Sequence, residues 1–316
     1  MKKFIVTTTI YPPSEATMKY VKMEDWEIII VGDLKTPHKE YFNLSYTYPN
    51  VRYLDPDQQD RKYTTLSEAI GWNCVMRRNL GFVEAYKRGA DVIATIDDDN
   101  IPYSFWGERI LVGQEVEVDS LYNESGAFDI MSVTNHPELW HRGFPLQLIQ
   151  ESRESRFSFT PRTKVLFQAD LWDGDPDVDA VCRMLYNPKD LNLLLEKPVT
   201  TSNYAPFNSQ NTFIAREALP YYMVLPHVGR MDDIWGGYIA QYLLNTRPVF
   251  MPATVYQNRN EQSLKQNFKD EVIGYLNTLD FIRDIENYHT YLPERTLDAF
   301  IAYQNEYRKL GVTLNV

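Results

Sequence analysis

The chain has 316 residues, 44% of them hydrophobic and 24% charged, which is a globular balance with volume for one large α/β domain or two modest ones. Its formal net charge of −11 argues against binding to the backbone of nucleic acid, which requires a clustered basic face, and no apolar run has the length of a membrane span. Cys74 and Cys182 are the only cysteines, too few for a disulfide framework or a paired metal motif, so a thiol-reducing, cytoplasmic setting is expected.

Met1-Lys2-Lys3 leads into Phe4-Ile5-Val6 and then into threonines, which reads as a buried strand over residues 3–9 rather than a signal peptide. A second β-rich run, residues 26–31, stops at Gly32-Asp33. Residues 66–87 carry apolar positions at helical spacing and end before Gly89, a helix terminator. Residues 91–96 form a buried-type strand that runs into Asp97-Asp98-Asp99. This alternation predicts a mainly parallel sheet with helical crossovers.

Residues 103–200 are irregular and read as an insertion that walls a pocket, with candidate strands at 130–133 and 164–167 and an acidic surface loop at 173–179. A strand is expected at 211–215 and a short helix at 216–223, before the compact motif spanning 229–237. The tail is helical over 261–287 and 293–310. These divisions suggest a catalytic unit over 1–255 and a helical extension over 256–316. Such amphipathic helices can pack on their own domain or on a second chain, which leaves a homo-oligomer open.

The chemistry is concentrated in the aspartate run. Three adjacent carboxylates at a strand end repel one another unless a cation or strong donors compensate, and ligands of open parallel sheets gather at that end. Hard oxygen ligands suit Mn2+ or Mg2+, and such ions commonly bridge protein carboxylates to substrate phosphates. Strand alternation would place Asp97 and Asp99 on one side and Asp98 on the other. On the same sheet edge, Thr8 and Thr9 are candidates for a base or ribose, with Asp33 as an acceptor for a base N–H. Arg77, Arg78 and Asn79 are candidates for phosphate or sugar hydroxyls, or else for ion pairs with Asp91 or Glu84.

Thr95-Ile96-Asp97-Asp98-Asp99, taken with Gly229-Arg230-Met231-Asp232-Asp233-Ile234-Trp235-Gly236-Gly237, resembles the reversibly glycosylated polypeptides, which include UDP-arabinopyranose mutases, and the STELLO-type glycosyltransferase-like proteins. Arg142-Gly143-Phe144-Pro145-Leu146 resembles the segment in which the mutases carry a reversibly glycosylated arginine. The resemblance implies a GT-A fold, that is, a Rossmann-like nucleotide-sugar-binding sheet with an acceptor-side insertion. It also implies a nucleotide-diphosphate sugar, UDP-linked, and a divalent metal held by Asp97 and Asp99, with Arg142 near the anomeric carbon. Three positions depart from the mutase pattern: Ile149 replaces a second arginine, Met231 replaces the motif tyrosine, and no histidine occurs near Gln257.

Together these readings predict metal-dependent transfer of a sugar from a UDP-sugar to an unidentified acceptor hydroxyl. Asp97 and Asp98 would contact the donor, Asp97 and Asp99 the metal, and Asp232, Asp233 and Arg142 would serve catalysis. The second reading is a pyranose–furanose mutase acting through a glycosylated Arg142, and the third is a sugar-nucleotide-binding subunit without chemistry. Asp232 and Asp233 have a rival role in capping the helix that follows them. His141, His227 and Trp235 are weaker candidates: His227 for the metal, Trp235 for stacking on an acceptor sugar or for the core.

Overall fold

β-Branched runs form the opening strands, and helices carry the chain back to the same end of the sheet after each one. In chain order, β1 (Lys3–Thr9) is followed by α1 (Glu15–Tyr20), β2 (Glu27–Gly32), α2 (His38–Thr47) and β3 (Val51–Leu54). Next come α3 (Pro56–Lys62), α4 (Thr64–Ile70), α5 (Arg78–Lys87) and β4 (Val92–Ile96). The computed structural model describes residues 1–150, 155–260 and 262–314. β1 pairs in parallel with both β2 and β4, and β2 pairs in parallel with β3. The strand order therefore reverses between β1 and β4, the place where an open α/β sheet leaves a crevice for ligand.

The second half adds β5 (Asn100–Pro102), β6 (Glu115–Glu117), β7 (Asp119–Tyr122), β8 (Arg156–Phe159), β9 (Arg162–Lys164) and β10 (Phe167–Gly174). It continues with α6 (Ala180–Tyr186), β11 (Val199–Thr201), β12 (Asn211–Ala215), α7 (Asp232–Leu243) and β13 (Val249–Gln257), and then α8 (Leu264–Arg283) and α9 (Glu294–Lys309). The main sheet runs β3-β2-β1-β4-β12-β10-β13-β11-β7-β8, with β5 paired to β13. This is the expected α/β architecture: a parallel half joined to the rest of the sheet through one antiparallel strand, β12. Because β12 runs against β4, with Asn211 opposite Ile96, residues 208–210 lie beside the carboxyl end of β4.

Several local expectations are corrected. The helix expected over 66–87 is two helices separated at Gly71 (φ 77°) and Asn73 (φ 60°), left-handed backbone that no helix continues through. Residues 130–133 form a 3₁₀ turn instead of a strand, because the Asp129 carboxylate accepts the Met131 N–H at 3.1 Å. The run 164–167 is split between the end of β9 and the start of β10. The segment 216–223 is a 3₁₀ turn over Arg216–Tyr221. The acidic stretch 173–179 is not a surface loop: it finishes β10 and then caps α6, and Asp177 and Asp179 are buried.

The tail helices pack on their own domain. Tyr303 donates to the Leu219 carbonyl at 2.8 Å, Thr296 to that of Pro226 at 2.7 Å, and Tyr307 meets Tyr86 edge-on. Glu261, the first residue of the expected tail helix, lies outside the described residues. Among the described residues no helix is long and apolar enough to cross a membrane.

Candidate active site

A cavity of about 330 Å³ opens at the carboxyl ends of β1 and β4. It is lined by Thr8, Thr9, Ile10, Tyr11, Asp33, Asn73, Cys74, Val75, Arg78, Asp97, Asp98, Asp99, Asn260 and Gln262. The sequence-predicted donor and metal residues are thus brought together. Residues 103–200, expected as an insertion that walls a pocket, supply none of the lining residues of this cavity among those described.

Each lining group has a distinct local cause. Thr8 is fixed by donating to the Val31 carbonyl at 2.8 Å, and Thr9 donates to the Asp98 carboxylate. Asp33, expected to meet a base directly, accepts the backbone N–H groups of Leu34, Asn73 and Cys74 at 2.6, 2.9 and 2.9 Å. Its contribution is to hold the left-handed turn after α4 against the cavity. Arg78, from the first turn of α5, reaches Asp97 at 2.5 Å, the Ser209 carbonyl at 2.7 Å and the Thr95 hydroxyl at 3.2 Å.

β4 ends at Ile96, and the Asn100 N–H returns to the Asp97 carbonyl at 3.3 Å, so 97–99 form a turn. Strand alternation therefore does not apply to the three carboxylates. Asp97 faces Arg78, Asp98 takes the Thr9 hydroxyl, and Asp99 Oδ2 accepts the Asn260 backbone N–H at 3.2 Å. Asp99 Oδ1 is buried with no hydrogen-bond partner, and burial, reinforced by the nearby Asp97, pushes this carboxyl up to about 7. Burial likewise raises Asp98. Among the described residues no group of three His, Cys, Asp or Glu side chains could hold a metal alone. Two carboxylates, Asp97 and Asp99, the latter with an oxygen that has no partner, would fit an ion whose other ligands come from water and a diphosphate.

Beyond the cavity lies a buried ionic network. Arg142 Nε donates to Asp177 at 3.0 Å, Nη2 to Asp177 at 2.9 Å and to Asp233 at 3.0 Å, and Nη1 to the Arg230 carbonyl. Gly143 permits this placement: its φ is 81°, and a Cβ there would sit 2.3 Å from Ile234 Cγ2 on α7. Asp233 Oδ2 accepts both the N–H and the hydroxyl of Ser209, at 2.8 and 3.0 Å, and Ser209 in turn meets Arg78. A continuous polar path therefore joins Asp97 to Arg142.

Burial opposes charge at each member of the network, but the pairing decides the outcome. Asp177 is held well below the usual carboxylate range by Arg142 and Arg259, and Asp233 is lowered mainly by Arg142. The carboxylates around Arg142 raise its pKa further. Asp232 differs: burial and the adjacent Asp233 push it up to about 7, and its nearest cation is Arg142 at 3.6 Å. Neither Asp232 nor Asp233 is the helix cap, which falls at Met231; both sit in the first turn of α7, where the helix dipole favours anions.

Other candidates are placed elsewhere. Arg77 is fully buried, stacked on Trp72 and bonded to Gln59, and Asn79 pairs with the Val224 backbone. Neither ion pair proposed for this trio, to Asp91 or to Glu84, forms; Arg88 occupies Glu84. His227 lies 3.4 Å from the Ala69 carbonyl rather than at the aspartates, and Trp235 stacks on Phe281 in the core. His141 is buried beside the network, with Nδ1 2.7 Å from the Arg142 carbonyl and its pKa lowered by burial. Gln257 accepts from Gln210 at 2.9 Å.

Sequence reasoning missed Asp177, Ser209, Arg259 and Asn260. One signal was available: Asn208-Ser209-Gln210-Asn211 is an all-polar run leading into a strand, and all four residues are buried.

No family model matches the chain. It is 24% identical over 262 residues to the Arabidopsis thaliana protein described as "Probable glycosyltransferase STELLO2", covering 77% of this chain and 34% of that protein. For "Probable glycosyltransferase STELLO1" of the same plant the identity is 23% over 262 residues, covering 77% and 33%. The chain thus spans about a third of the length of the curated relatives it matches. A solved structure, the mannosyltransferase PcManGT from Pyrobaculum calidifontis in complex with GDP-Man and Mn2+, aligns with a TM-score of 0.43 and 9% identity over 100% of this chain and 76% of that one. The similarity to the two STELLO proteins agrees with the STELLO part of the resemblance carried by the motifs; a similarity to the reversibly glycosylated polypeptides is not shown.

Proposed function

We propose that the chain is a metal-dependent glycosyltransferase that moves a sugar from a nucleotide diphosphate to an acceptor hydroxyl. The observation that carries this reading is the buried, unpartnered oxygen of Asp99 on the lining of a cavity at the sheet's switch point. Asp97 and Asp99 would hold Mn2+ or Mg2+, which supplies charge neutralisation for the departing diphosphate. Thr8, Thr9 and the turn at 73–75 that Asp33 fixes enclose the nucleoside, with UDP taken from the motif resemblance. Asp232 is the proposed base on the acceptor hydroxyl, because its raised pKa suits proton transfer near neutrality. Asp233 and Arg142 are positioning residues that hold Asp232 and couple it to Asp97 through Ser209 and Arg78.

The mutase reading requires a guanidinium nitrogen free to attack carbon. Arg142 has carboxylates against Nε and Nη2, the Arg230 carbonyl against Nη1, and a raised pKa, which favours a role as a fixed cation.

The test is a thermal-shift panel of nucleotide sugars with and without Mn2+, followed by turnover with the stabilising donor. Mn2+-dependent stabilisation that disappears in Asp99→Ala is expected. A wild-type chain stabilised by no nucleotide would refute the proposal, and label transferred to Arg142 in the absence of acceptor would favour the mutase.

A further inference from the structure

The carboxylate-rich cavity poses an electrostatic problem for its own ligand. Its lining carries Asp33, Asp97, Asp98 and Asp99 but, among the described residues, a single guanidinium, Arg78. Arg78 has both terminal nitrogens engaged by Asp97, Ser209 and Thr95 at 2.5 to 3.2 Å. Beyond the metal proposed above, a diphosphate placed there would gain from a further guanidinium whose own contacts are long enough to exchange for phosphate oxygens.

Arg259 fits that description. It lies between the end of β13 and Asn260, which holds Asp99, and its side chain is only 6% exposed. Yet its contacts are long: Nη2 is 3.3 Å from Gln257 Oε1 and 3.4 Å from the Pro176 carbonyl, and Nη1 is 3.4 Å from Gln262 Oε1. Its ion pairs are also loose, at 3.3 Å to Asp175 and 3.6 Å to Asp177, and Nε has no hydrogen-bond partner. A buried guanidinium normally finds closer partners than these. Arg259 helps to keep Asp177 ionised but is not its closest partner, because Arg142 and Asn208 contact that carboxylate at 2.9 and 3.0 Å. Gln262, which shares the Arg259 Nη1 contact, is itself on the cavity lining. The planar fork of a guanidinium matches phosphate oxygens, and such charge-assisted bonds are short and strong.

We propose that Arg259 grips the terminal phosphate of the bound nucleoside diphosphate and is the residue by which this site distinguishes diphosphates from monophosphates. The proposal rests on the nucleotide reading above and adds to it a binding residue. By forming close bonds to a phosphate, Arg259 exchanges its long contacts for short ones, while Asp177 keeps Arg142.

The test measures binding rather than turnover. Dissociation constants for UDP and UMP, and for GDP and GMP, are determined by calorimetry with Mn2+ for the wild type, Arg259→Gln and Arg259→Lys, with ligand-free melting curves recorded for each. The wild type is expected to prefer the diphosphate. Arg259→Gln should weaken diphosphate binding about tenfold to a hundredfold while leaving the monophosphate unchanged, the range of one charged hydrogen bond. Arg259→Lys, which keeps the buried charge, should recover part of the loss. The proposal is overturned if the diphosphate affinity does not fall, or if in Arg259→Lys both affinities fall together. A wild type that binds neither nucleotide of either pair refutes the nucleotide reading itself, an outcome distinct from a variant that binds both pairs normally.

Discussion

The aspartates after β4 and those gathered around Arg142 are both crowded, but they are neutralised in opposite ways. At 97–99 the compensating groups are one guanidinium, a hydroxyl and the backbone and side-chain N–H groups of Asn260, and one carboxylate oxygen is left without a partner. Around Arg142, the carboxylate of Asp177 alone is approached by Arg142, Arg230 and Arg259 at 2.9, 3.7 and 3.6 Å and by the Asn208 amide at 3.0 Å. The first group has negative charge to offer a cation, whereas the second is balanced internally. The contrast separates ligand binding from framework better than acidity does, since the sequence shows runs of aspartate in both places.

The contrast can be tested most forcefully at Asp177. Replacing it with alanine leaves three guanidiniums without their shared anion, and breaking a buried ion pair in this way typically destabilises by about 3–5 kcal/mol. Urea unfolding measures it, and a loss near zero would mean that the network is not structural. The converse holds at Asp99: Asp99→Ala should lower kcat/KM with Mn2+ by about 10²–10³-fold, the range seen for loss of one electrostatic stabiliser. The metal-free melting temperature should fall only slightly, because one deleted oxygen has no partner and the other accepts only exposed contacts from Asn260 at 3.2 and 3.4 Å. If Asp99→Ala unfolds instead, the two clusters are alike after all.

Asp232 belongs to the balanced cluster by position, but burial and a neighbouring aspartate push it up to about 7, as they do Asp99. If it is the base, the rate should fall about tenfold per pH unit below pH 7 and level off above it, and Asp232→Asn should abolish that limb. The stability effect has the opposite direction. An unfolded aspartate releases its proton near pH 4 (about 3.9). The folded Asp232 keeps its proton up to about 7, so its contribution is fully present below pH 4 and is lost as pH rises through 7. Equilibrium unfolding at several pH values in wild type and Asp232→Asn isolates that slope. The smallest effect is expected at Thr8→Val, which removes one hydrogen bond to Val31 and should cost about 1 kcal/mol by thermal melt, with little change in turnover.

The parallel half of the fold is legible in the sequence. Val92–Ile96 and Lys3–Thr9 are strands because β-branched runs bounded by polar turns have few alternatives, and the carboxyl end of such a strand is where ligands collect. Asp97, Asp98, Asp99, Thr8, Thr9, Asp33 and Arg78 could therefore be assigned to one cavity from local pattern alone. What each of them does there could not. Asp33 turned out to hold a backbone turn because Gly71 and Asn73 break the helix expected over 66–87.

The residues from the second half were hidden for a different reason. Ser209 reaches Asp233 and Arg78 only because β12 runs antiparallel to β4, and Asp177 and Arg142 meet across 35 positions of sequence that include β8, β9 and β10. Local periodicity reports how a segment hydrogen-bonds to itself and which face it buries, and that was enough to locate the cavity edge of the sheet. Which charges neutralise one another depends on distances between remote segments, which no local pattern encodes. The pairing of Asp177 with its guanidiniums and the unmatched oxygen of Asp99 therefore emerged only once the chain was folded.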